Sequence, residues 1–385
     1  MSVAFVFTNP GHHLEMMEPV ADELRRRGQR VSMISLAEVR GLKTPQRTPP
    51  ITRVIPFDIR KRAGQTESPG IELREWQRGS LAKRLAWWVG LAPRLAWLLR
   101  KARVVVIPND AVFPYVELLA LTRRLGIRSV LVQEGIRFTF PGGHAGPSYG
   151  AGGCDAVCVW GEGSREYFER TGAPAERITV TGAPRMDTIE PARWEARGRE
   201  LLSSLGLSKP PLAFLSNPIE IQGYGDKAVR LSCFEQLVTA AAPLLVARDT
   251  TLIVKTHAYE DPAEYEAIAR RSAHPERIRI LGAMPIFTVL AAARAAIVMA
   301  STVGLEALVF GLPLGVLEIP RHGYAFEYVQ QRAAIPLELA KLEPGLVTLL
   351  DAPRAHAAPF VARHLHDHGR AFANVAAVID RLART

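Results

Sequence analysis

The sequence has only three cysteines, Cys154, Cys158 and Cys233. Cys154 and Cys158 have no second pair of ligand residues near them, so they do not match a zinc site. A chain of 385 residues with so few cysteines does not depend on disulfide bonds, which is typical of a reducing compartment. We therefore expect a cytoplasmic protein in which the three thiols are buried as small apolar side chains.

Long hydrophobic runs and targeting signals are also lacking. No stretch of the sequence approaches the roughly 18 uninterrupted apolar residues of a membrane-spanning helix. The segment from Met1 to Phe7 carries no basic residue and is followed at once by the turn sequence Asn9-Pro10-Gly11, which does not match a signal peptide. These features predict a globular chain with no helix that spans a bilayer.

Several cofactor-binding patterns are absent as well. The sequence has no G-x4-G-K-[ST] loop and no D-x-D. Gly161-Glu162-Gly163 opens a G-x-G-x-x-E stretch, which lacks the third glycine of a dinucleotide fingerprint. The histidines at 364, 366 and 368 would point to different sides of a helix. We expect no bound metal ion and no resident cofactor.

Positive charge and apolar residues are what the sequence does have. Apolar residues make up 48% of the chain, which is enough to bury real cores, and the length suits two domains. The net charge of +10 favours an anionic partner such as a nucleotide or an acidic membrane surface. The positive charge is the only feature that supports nucleic-acid binding, because the sequence has no basic run interleaved with aromatic residues of the kind that single-strand binders use. We expect no nucleic acid partner.

Hydrophobic periodicity predicts strands that alternate with helices from the first residue onward. Val3 to Phe7 and Val31 to Leu36 are predicted strands on either side of a helix from Leu14 to Arg27 that Gly28 ends. Strands that are apolar throughout and alternate with helices predict parallel sheets covered on both faces. The other predicted strands are 104–108, 128–133, 156–160, 178–181, 212–215, 251–255, 278–281, 296–299 and 314–317.

The predicted fold class is therefore α/β, with two Rossmann-like, doubly wound domains facing each other. A stretch rich in proline and polar residues, from 188 to 210, separates the two series of strands. We place the domains at residues 1–187 and 211–370, with a linker at 188–210 and a C-terminal helix at 371–385.

Polar residues follow several of the predicted strands, and one of them is a carboxylate. Glu134 comes directly after the strand that ends at Gln133, and Asp110 follows the strand 104–108. Ligands of doubly wound sheets bind at the carboxyl ends of strands, so either carboxylate could take a proton from a substrate hydroxyl. The alternative is that Glu134 caps a turn or pairs with Arg137. Other polar residues at strand ends are Asn9, Lys255, Thr256, His257, Ser301 and Thr302.

Ser301 and Thr302 stand between a predicted strand and a predicted helix that Gly311 and Pro313 close. Hydroxyls and free backbone N–H groups at such a position bind phosphate, although simple N-capping explains them as well. Glu306 is five residues after Ser301 and so does not complete a capping box. Its carboxylate is a candidate for contacts with the sugar hydroxyls of a nucleotide.

Several segments resemble glycosyltransferases of the GT-B fold. The run from Asn9 to Val31 is similar to the opening of these enzymes. Val159-Trp160-Gly161-Glu162 and the run 179–187 resemble bacterial surface-polysaccharide transferases and CDP-glycerol glycerophosphotransferases. The Ser301–Leu308 run with Gly311 and Pro313, and the run 367–371, are similar to capsule enzymes that transfer Kdo. Together the segments extend over most of the chain.

The CMP-sugar branch of GT-B enzymes supplies roles for individual residues. Its signatures correspond here to Gln133-Glu134-Gly135, His257-Ala258 and Ser301-Thr302, in the same order. The resemblance implies that Glu134 is the base, that His257 contacts the donor nucleotide, and that Ser301 and Thr302 hold its phosphate. Further donor-side candidates are Lys255, Glu306 and Arg185, and acceptor-side candidates are Asn9, His12, His13 and Arg137.

The function predicted from this resemblance is inverting, metal-independent transfer of a sugar from a nucleotide-activated donor, with CMP-Kdo favoured. The acceptor would be a glycan or lipid-linked glycan of a bacterial surface polymer such as capsule or lipopolysaccharide. Alternatives are a CDP-glycerol-type phosphotransferase, a UDP-sugar transferase or a sugar-nucleotide epimerase. A non-catalytic GT-B-like binding subunit is the alternative from another class, and donor hydrolysis would separate it from the enzymes.

One apolar segment has two interpretations. Trp87 and Trp88 lie in the stretch 81–100, which carries several Lys and Arg residues and a break at Pro93. Such a stretch can rest on the membrane surface, as assembly of a lipid-linked polymer at the inner face of the cytoplasmic membrane would require. It can equally pack into a domain core.

Overall fold

The computed structural model of the protein describes residues 2–56, 81–135, 149–282 and 284–384. Arg137, which the sequence places on the acceptor side, lies outside these residues. The described chain divides into two compact units. Unit 1 contains residues 2–135, 149–188 and 362–384, and unit 2 contains residues 189–361. The change from unit 1 to unit 2 after 188 lies beside the predicted boundary at 187, and unit 2 ends at 361, before the predicted end at 370.

Unit 1 is built on a sheet of seven parallel strands in the order β3-β2-β1-β4-β5-β6-β7. The predicted strands form within about one residue of their expected ends, because continuous apolar runs leave little choice of register. Only β3, with two residues, was not predicted. The strands are β1 Ser2–Phe7, β2 Arg30–Ser35, β3 Thr52–Arg53, β4 Val104–Ile107, β5 Arg128–Val132, β6 Ala156–Val159 and β7 Ile178–Val180.

Helices cover both faces of this sheet. Val3, Phe5 and Phe7 of β1 belong to one core cluster, and Ala4 and Val6 of the same strand belong to the other. Alternate side chains of a strand point to opposite faces, so a strand covered on both sides must be apolar throughout. The helices are His12–Arg26, Leu81–Ala86, Ala92–Leu99, Tyr115–Arg124, Glu162–Arg170 and Ala371–Arg384, with a π-turn at Trp87–Leu91.

The C-terminal segment of the chain completes unit 1. The helix Ala371–Arg384 packs beside His12–Arg26, and Asp380 accepts hydrogen bonds from Gln29 Nε2 at 2.9 Å and from Arg27 Nη1 at 3.4 Å. Asp187 accepts the backbone N–H groups of Gly369 and Phe372 at 2.8 and 2.9 Å. Two of the motifs behind the family resemblance, 179–187 and 367–371, therefore meet here and hold the returning chain in place.

The Gly161-Glu162-Gly163 stretch has a packing role in unit 1. A Cβ atom at Gly161 would lie 2.3 Å from the carbonyl oxygen of Arg363, and one at Gly163 would lie 2.3 Å from the ring of His364. Glycine is needed because the segment 363–364 passes this close. His364 is 1% exposed, and burial, followed by the nearby Arg363 charge, lowers its pKa to about 4.

Acid is expected to destabilise unit 1 through His364. The pKa is lower in the folded state than the usual 6.5, so the stabilisation is complete above pH 6.5 and is lost as the pH falls towards 4. The free energy of unfolding should fall by about 3 kcal/mol over this range from this group alone. Urea titrations at several pH values should show a smaller loss in His364→Gln than in the wild type. The exposed His322 gives the matched control, His322→Gln, which should behave as the wild type. Equal losses in all three proteins would contradict the assignment.

Unit 2 contains a sheet of six parallel strands in the order β10-β9-β8-β11-β12-β13. Both units thus have the strand order of a doubly wound sheet, and the predicted α/β class with parallel Rossmann-like sheets is confirmed. The short strand β13 was not predicted. The strands are β8 Leu212–Leu215, β9 Leu252–Lys255, β10 Ile278–Leu281, β11 Ala295–Val298, β12 Leu314–Leu317 and β13 Ile335–Leu337.

The helices of unit 2 include one from the predicted linker. Pro191–Ser204 packs along Ile286–Ala292, with the rings of Trp194 and Phe287 5.3 Å apart. By length and composition alone, Lys227–Ala247 could cross a membrane. In unit 2 it is a core helix, because Phe234 and Leu237 are fully buried. The remaining helices are Ile219–Gln222, Pro262–Arg271, Val303–Val309, Leu342–Asp351 and Ala358–His364, the last of which crosses into unit 1.

Candidate functional site

A carboxylate lies at the carboxyl edge of the unit 1 sheet, where β1, β4 and β5 end side by side. Glu134 Oε2 is 3.0 Å from Nε2 of His13, which follows β1. Its other oxygen, Oε1, accepts a hydrogen bond of 2.9 Å from Nδ2 of Asn109, which follows β4. His13 and Asn109 therefore hold one carboxylate oxygen each.

The backbone fixes the tautomer of His13. The N–H group of Asn9 is 3.2 Å from His13 Nδ1, and a backbone N–H can only donate, so Nδ1 is the acceptor. In the neutral ring the proton is then on Nε2, which donates it to Glu134. The Tyr115 hydroxyl donates to Thr8 Oγ1 at 3.2 Å, and the centre of its ring lies 6.5 Å from that of the His13 ring. His13 is 4% exposed, so this arrangement holds the carboxylate of Glu134 in one orientation.

His12 presents a second basic group next to Glu134. Its Nε2 is 2.7 Å from the carbonyl oxygen of Glu134, which can only accept, so Nε2 carries the proton and Nδ1 has the lone pair of the neutral ring. Burial lowers the pKa of His12 below its usual 6.5, and the Arg185 charge lowers it further. The ring is therefore neutral at pH 7, with a basic nitrogen in a half-buried position.

Asp110, the competing carboxylate, binds a loop. Its two oxygens accept the backbone N–H groups of Gly150 and Gly152 at 2.7 and 2.8 Å. A Cβ at Gly152 would lie 2.3 Å from the Asp110 carbonyl oxygen, so only glycine allows this approach. The carboxylate is 1% exposed, and burial raises its pKa against the effect of the two N–H groups. These contacts favour a structural role for Asp110.

The same loop supports Glu134. The Tyr149 hydroxyl accepts the N–H of Glu134 and donates to the carbonyl oxygen of Pro108, both at 3.0 Å. It thereby ties the end of β5 to the end of β4. Gln133, the first residue of the Gln133-Glu134-Gly135 signature, is fully buried. Its Nε2 donates to Ser164 Oγ, and its Oε1 accepts the Trp160 N–H. Its amide is therefore part of the unit 1 core.

The remaining unit 1 candidates make local contacts. Asn9 Oδ1 accepts the Gly11 N–H at 3.2 Å and shapes the turn before His12. Arg185, predicted on the donor side, lies in unit 1, where Nε donates to Glu15 Oε2 at 3.0 Å. It therefore adds positive charge beside His12.

Unit 2 has its own group of polar residues, at the carboxyl ends of β8, β9 and β11, which are adjacent in its sheet. Asn217 follows β8 and donates from Nδ2 to the carbonyl oxygen of Ala300, after β11, at 2.8 Å. Asn217 Oδ1 is buried and has no hydrogen-bond partner among the described residues. A buried amide oxygen of this kind is ready to accept a hydrogen bond from a ligand. Lys255 is the last residue of β9 and His257 follows it, and burial lowers the pKa of each.

A buried ionic network supports this edge of unit 2. Glu260 accepts the N–H of His257 at 2.7 Å and the Ser216 hydroxyl at 2.9 Å. Its carboxylate is fully buried and lies 3.1 Å from Nη1 of Arg230, whose side chain is 2% exposed. Arg230 also donates to Glu220 at 3.1 Å and to the Tyr265 hydroxyl. The network thus sets the backbone position of His257.

Ser301 and Thr302 lie after β11, as predicted. Ser301 Oγ accepts the N–H of Val303, the first residue of the helix Val303–Val309, at 3.2 Å, while the side chain of the N-cap residue Thr302 makes no capping hydrogen bond. Thr302 is half-buried, and Glu306 on the same helix is 1% exposed. The unit 2 candidates Lys255, His257, Ser301 and Thr302 therefore all lie at the carboxyl edge of one sheet.

Several residues of these two groups were not found from the sequence. Asn109, which donates to Glu134, immediately precedes Asp110. It was not found because a carboxylate was favoured over a neutral amide as a candidate. Ser216 and Asn217 directly follow the end of β8. They could have been found from the sequence, because ligands of doubly wound sheets bind at the carboxyl ends of strands. Tyr259, which is 68% exposed and has its ring 5.1 Å from that of His257, gave no signal in the sequence.

No protein family matches the chain, and no curated protein sequence matches it. Solved structures do resemble it. The UDP-GlcNAc 2-epimerase of Methanocaldococcus jannaschii has a TM-score of 0.63 at 13% identity, with 99% of this chain and 100% of that chain covered. The Neisseria meningitidis UDP-GlcNAc 2-epimerase bound to UDP-GlcNAc has a TM-score of 0.63 at 12% identity, with coverage of 99% and 100%.

A third structure, an S. aureus protein solved with UDP, has a TM-score of 0.63 at 14% identity and covers 100% of this chain and 97% of its own. Identities this low establish the fold alone. Because the similarity extends over the full length of both chains, it includes both units and their doubly wound sheets. The chain therefore has the GT-B-like fold of two Rossmann-like domains.

Proposed function

We propose that the protein is an enzyme that acts on a sugar activated by a nucleotide, and that the nucleotide is UDP. The observation that carries this proposal is the Glu134 carboxylate, oriented by His13 and Asn109 at a strand-end edge. Ligands of this fold class bind at such edges. Structural neighbours were solved with UDP or UDP-GlcNAc, which supports UDP rather than the CMP-Kdo donor expected from the sequence resemblance.

The residues of unit 1 would supply the base. Glu134 is half-buried, and neutral His12 lies against its backbone. Either group can accept a proton from a substrate placed within hydrogen-bond reach. Orientation by His13 and Asn109 lowers the cost of bringing the carboxylate into position for the reaction. The acceptor-side assignment of His12 and His13 is thereby refined: His13 positions the base, and His12 is a second candidate for it.

The residues of unit 2 would bind the nucleotide. Lys255 supplies positive charge, while Ser301, Thr302 and Asn217 supply hydrogen-bonding groups for phosphate or ribose oxygens. The exposed ring of Tyr259 beside His257 offers a face on which a base can stack. Stabilising the charge that develops on a departing diphosphate is the largest electrostatic task of such a reaction.

Epimerisation of the sugar is the first candidate reaction, because it is the reaction named for the structural neighbours. Inversion at a carbon that bears hydrogen requires a base that removes the proton from one face and an acid that delivers a proton to the other face. Glu134 or neutral His12 would serve as the base. Transfer to a glycan hydroxyl is the second candidate. It is favoured by the order of Gln133-Glu134-Gly135, His257 and Ser301-Thr302 along the chain.

One experiment separates these reactions. The protein is incubated with UDP-GlcNAc in D2O and, in parallel, with CMP-sugars, and the products are followed by NMR. Epimerisation through proton removal should place deuterium on the inverted carbon and leave the sugar attached to UDP. Transfer or hydrolysis should release free nucleotide. If no nucleotide-sugar is changed while UDP still binds, the protein is a non-catalytic binding subunit and the proposed enzyme activity is wrong.

Replacing both Ser301 and Thr302 by alanine should weaken UDP binding by about 1–3 kcal/mol, the usual cost of lost hydrogen bonds to a charged group. His257→Ala should weaken it as well. Isothermal titration calorimetry measures the affinities, and circular dichroism verifies the fold. Ser232→Ala, which removes an exposed hydroxyl from a helix of the same unit, is the matched control. Wild-type affinity in folded Ser301→Ala/Thr302→Ala and His257→Ala proteins would move the nucleotide site away from the ends of β9 and β11.

A further inference from the structure

Unit 1 carries a stripe of exposed apolar side chains on its segment 81–99. Leu81, Leu85, Val89 and Trp97 are 85%, 65%, 73% and 60% exposed. With the exposed Pro93, they recur at every fourth residue of the segment. Isolated exposed apolar residues are ordinary, whereas a continuous row of them marks an interaction site.

A π-turn at Trp87–Leu91 interrupts the helical segment that carries the stripe. In a regular α-helix, residues four apart drift around the axis because a turn contains 3.6 residues. The wider turn at Trp87–Leu91 takes up part of that drift between Leu85 and Pro93. The opposite side is the core side, where Trp87, Leu95 and Leu99 are fully buried.

The stripe lies in a strongly basic segment. No Asp or Glu occurs between residues 81 and 108. The guanidinium of Arg100 lies 4.1 Å from the centre of the Trp97 ring, and that of Arg124 lies 4.4 Å from the centre of the Trp88 ring. Aromatic rings flanked by cations are typical of the water–lipid boundary. The basic residues of the segment are Lys83, Arg84, Arg94, Arg100, Lys101 and Arg103.

A basic cavity of about 700 Å³ begins where the stripe ends. Arg100, Arg103, Arg123 and Arg128 line it, and Asp155 is the acidic residue in its lining. Asp155 is paired with Arg128 at 3.0 Å, while Arg100 and Arg123 donate to backbone carbonyl oxygens, which do not neutralise their charge. The cavity lies at the amino ends of β4 and β5, the opposite edge of the sheet from Glu134. It is thus separate from the candidate active site.

We propose that this face of unit 1 docks on an anionic membrane surface. The stripe of Leu81, Leu85, Val89 and Trp97 enters the boundary between headgroups and acyl chains, and the arginines of the cavity bind the phosphate of a lipid headgroup. Apolar burial and attraction to anionic lipids add to each other in such binding. A second copy of the chain fits the face less well, because it would bring one basic segment against another. The proposal does not depend on the proposed enzymatic activity.

Flotation with lipid vesicles tests the proposal. The full-length protein should float with vesicles of phosphatidylcholine mixed with phosphatidylglycerol and should bind vesicles of phosphatidylcholine alone much more weakly. The variant Leu85→Ser/Val89→Ser should bind the anionic vesicles about tenfold or more weakly, because both side chains lose their apolar contact with lipid. The variant Lys101→Gln/Arg103→Gln should also bind more weakly and should show a smaller dependence on salt.

Two controls make the result specific. Val246→Ser removes a side chain of unit 2 that is 41% exposed and should bind as the wild type. Inorganic phosphate, added as a competitor, should not release the protein, because it cannot replace the contacts of the stripe. The proposal is overturned if the wild type does not float with anionic vesicles, if both variants bind as the wild type, or if phosphate alone displaces the protein. It is likewise overturned if sedimentation velocity shows a dimer that Leu85→Ser/Val89→Ser dissociates.

Discussion

Glu134→Gln is expected to slow turnover of the nucleotide-sugar by about 100-fold or more, because the amide cannot accept the proton that the carboxylate takes. The affinity for UDP should stay unchanged, since Glu134 is not among the unit 2 residues that would bind the nucleotide. Turnover is measured at saturating nucleotide-sugar, and UDP affinity by calorimetry. The amide places an NH2 group opposite either His13 or Asn109, so the melting temperature is measured on the same sample.

Asp110→Asn is the matched control for this variant. Asp110 accepts two backbone N–H groups, and asparagine can accept only one of them, so we expect a lower melting temperature and a smaller loss of turnover. If Glu134→Gln keeps near-normal turnover while Asp110→Asn loses it at unchanged melting temperature, Asp110 is the base and our assignment is wrong.

The pH dependence of the reaction distinguishes Glu134 from His12. Burial and the Arg185 charge lower the pKa of His12, so kcat/KM should fall in acid with an apparent pKa below 6.5 if Nδ1 is the base. The His12→Gln variant should then lose both this acid limb and most of the turnover. An unchanged profile in His12→Gln, combined with a large loss in Glu134→Gln, assigns the base to the carboxylate.

Arg230→Ala should lower the free energy of unfolding by about 3–5 kcal/mol, because it leaves the buried Glu260 carboxylate without its nearest positive charge. The two side chains are 2% and 0% exposed and lie 3.1 Å apart. Urea denaturation measures the change. UDP affinity should fall in the same variant, because Glu260 holds the N–H of His257.

Arg271→Ala provides the matched control, since Arg271 pairs with Glu235 at 3.3 Å on the surface of the same unit. Exposed pairs contribute about 0–1 kcal/mol. The double variant Arg230→Met/Glu260→Gln should recover part of the lost stability, because it removes both buried charges. A loss in Arg230→Ala no larger than that in Arg271→Ala would show that the pair carries no buried charge.

The expected donor and the local chemistry of the carboxylates show where prediction from sequence stopped. Short motifs such as Gln133-Glu134-Gly135 favoured a CMP-sugar, and this donor stays a prediction, because full-length similarity at 12–14% identity establishes the fold alone. Gln133 itself turned out to be a buried core amide, bonded to Ser164 and Trp160. A short motif indicates that a strand ends, but it does not show which of its side chains points into the core.

The apolar segment 81–99 shows a different limit. The sequence left membrane contact and core packing open for Trp87 and Trp88. Trp87 is fully buried, while Trp88 is half-buried next to Arg124. The exposed stripe instead runs through Leu81, Leu85, Val89 and Trp97. A π-turn changes which residues share a side, and helical periodicity calculated for a regular helix cannot anticipate it.

The sequence by itself determined the fold class and the strands that build it, because unbroken apolar runs and the stops at Gly28 and Gly126 act locally. Both glycines have positive φ, 79° and 65°, as helix ends require. It also determined that Glu134 stands at a strand end. Tertiary structure alone decided that Glu134 is held by His13 and Asn109 while Asp110 binds backbone N–H groups. These contacts join residues that lie far apart in the chain, and hydrogen bonding depends on distances and angles that residue order does not contain.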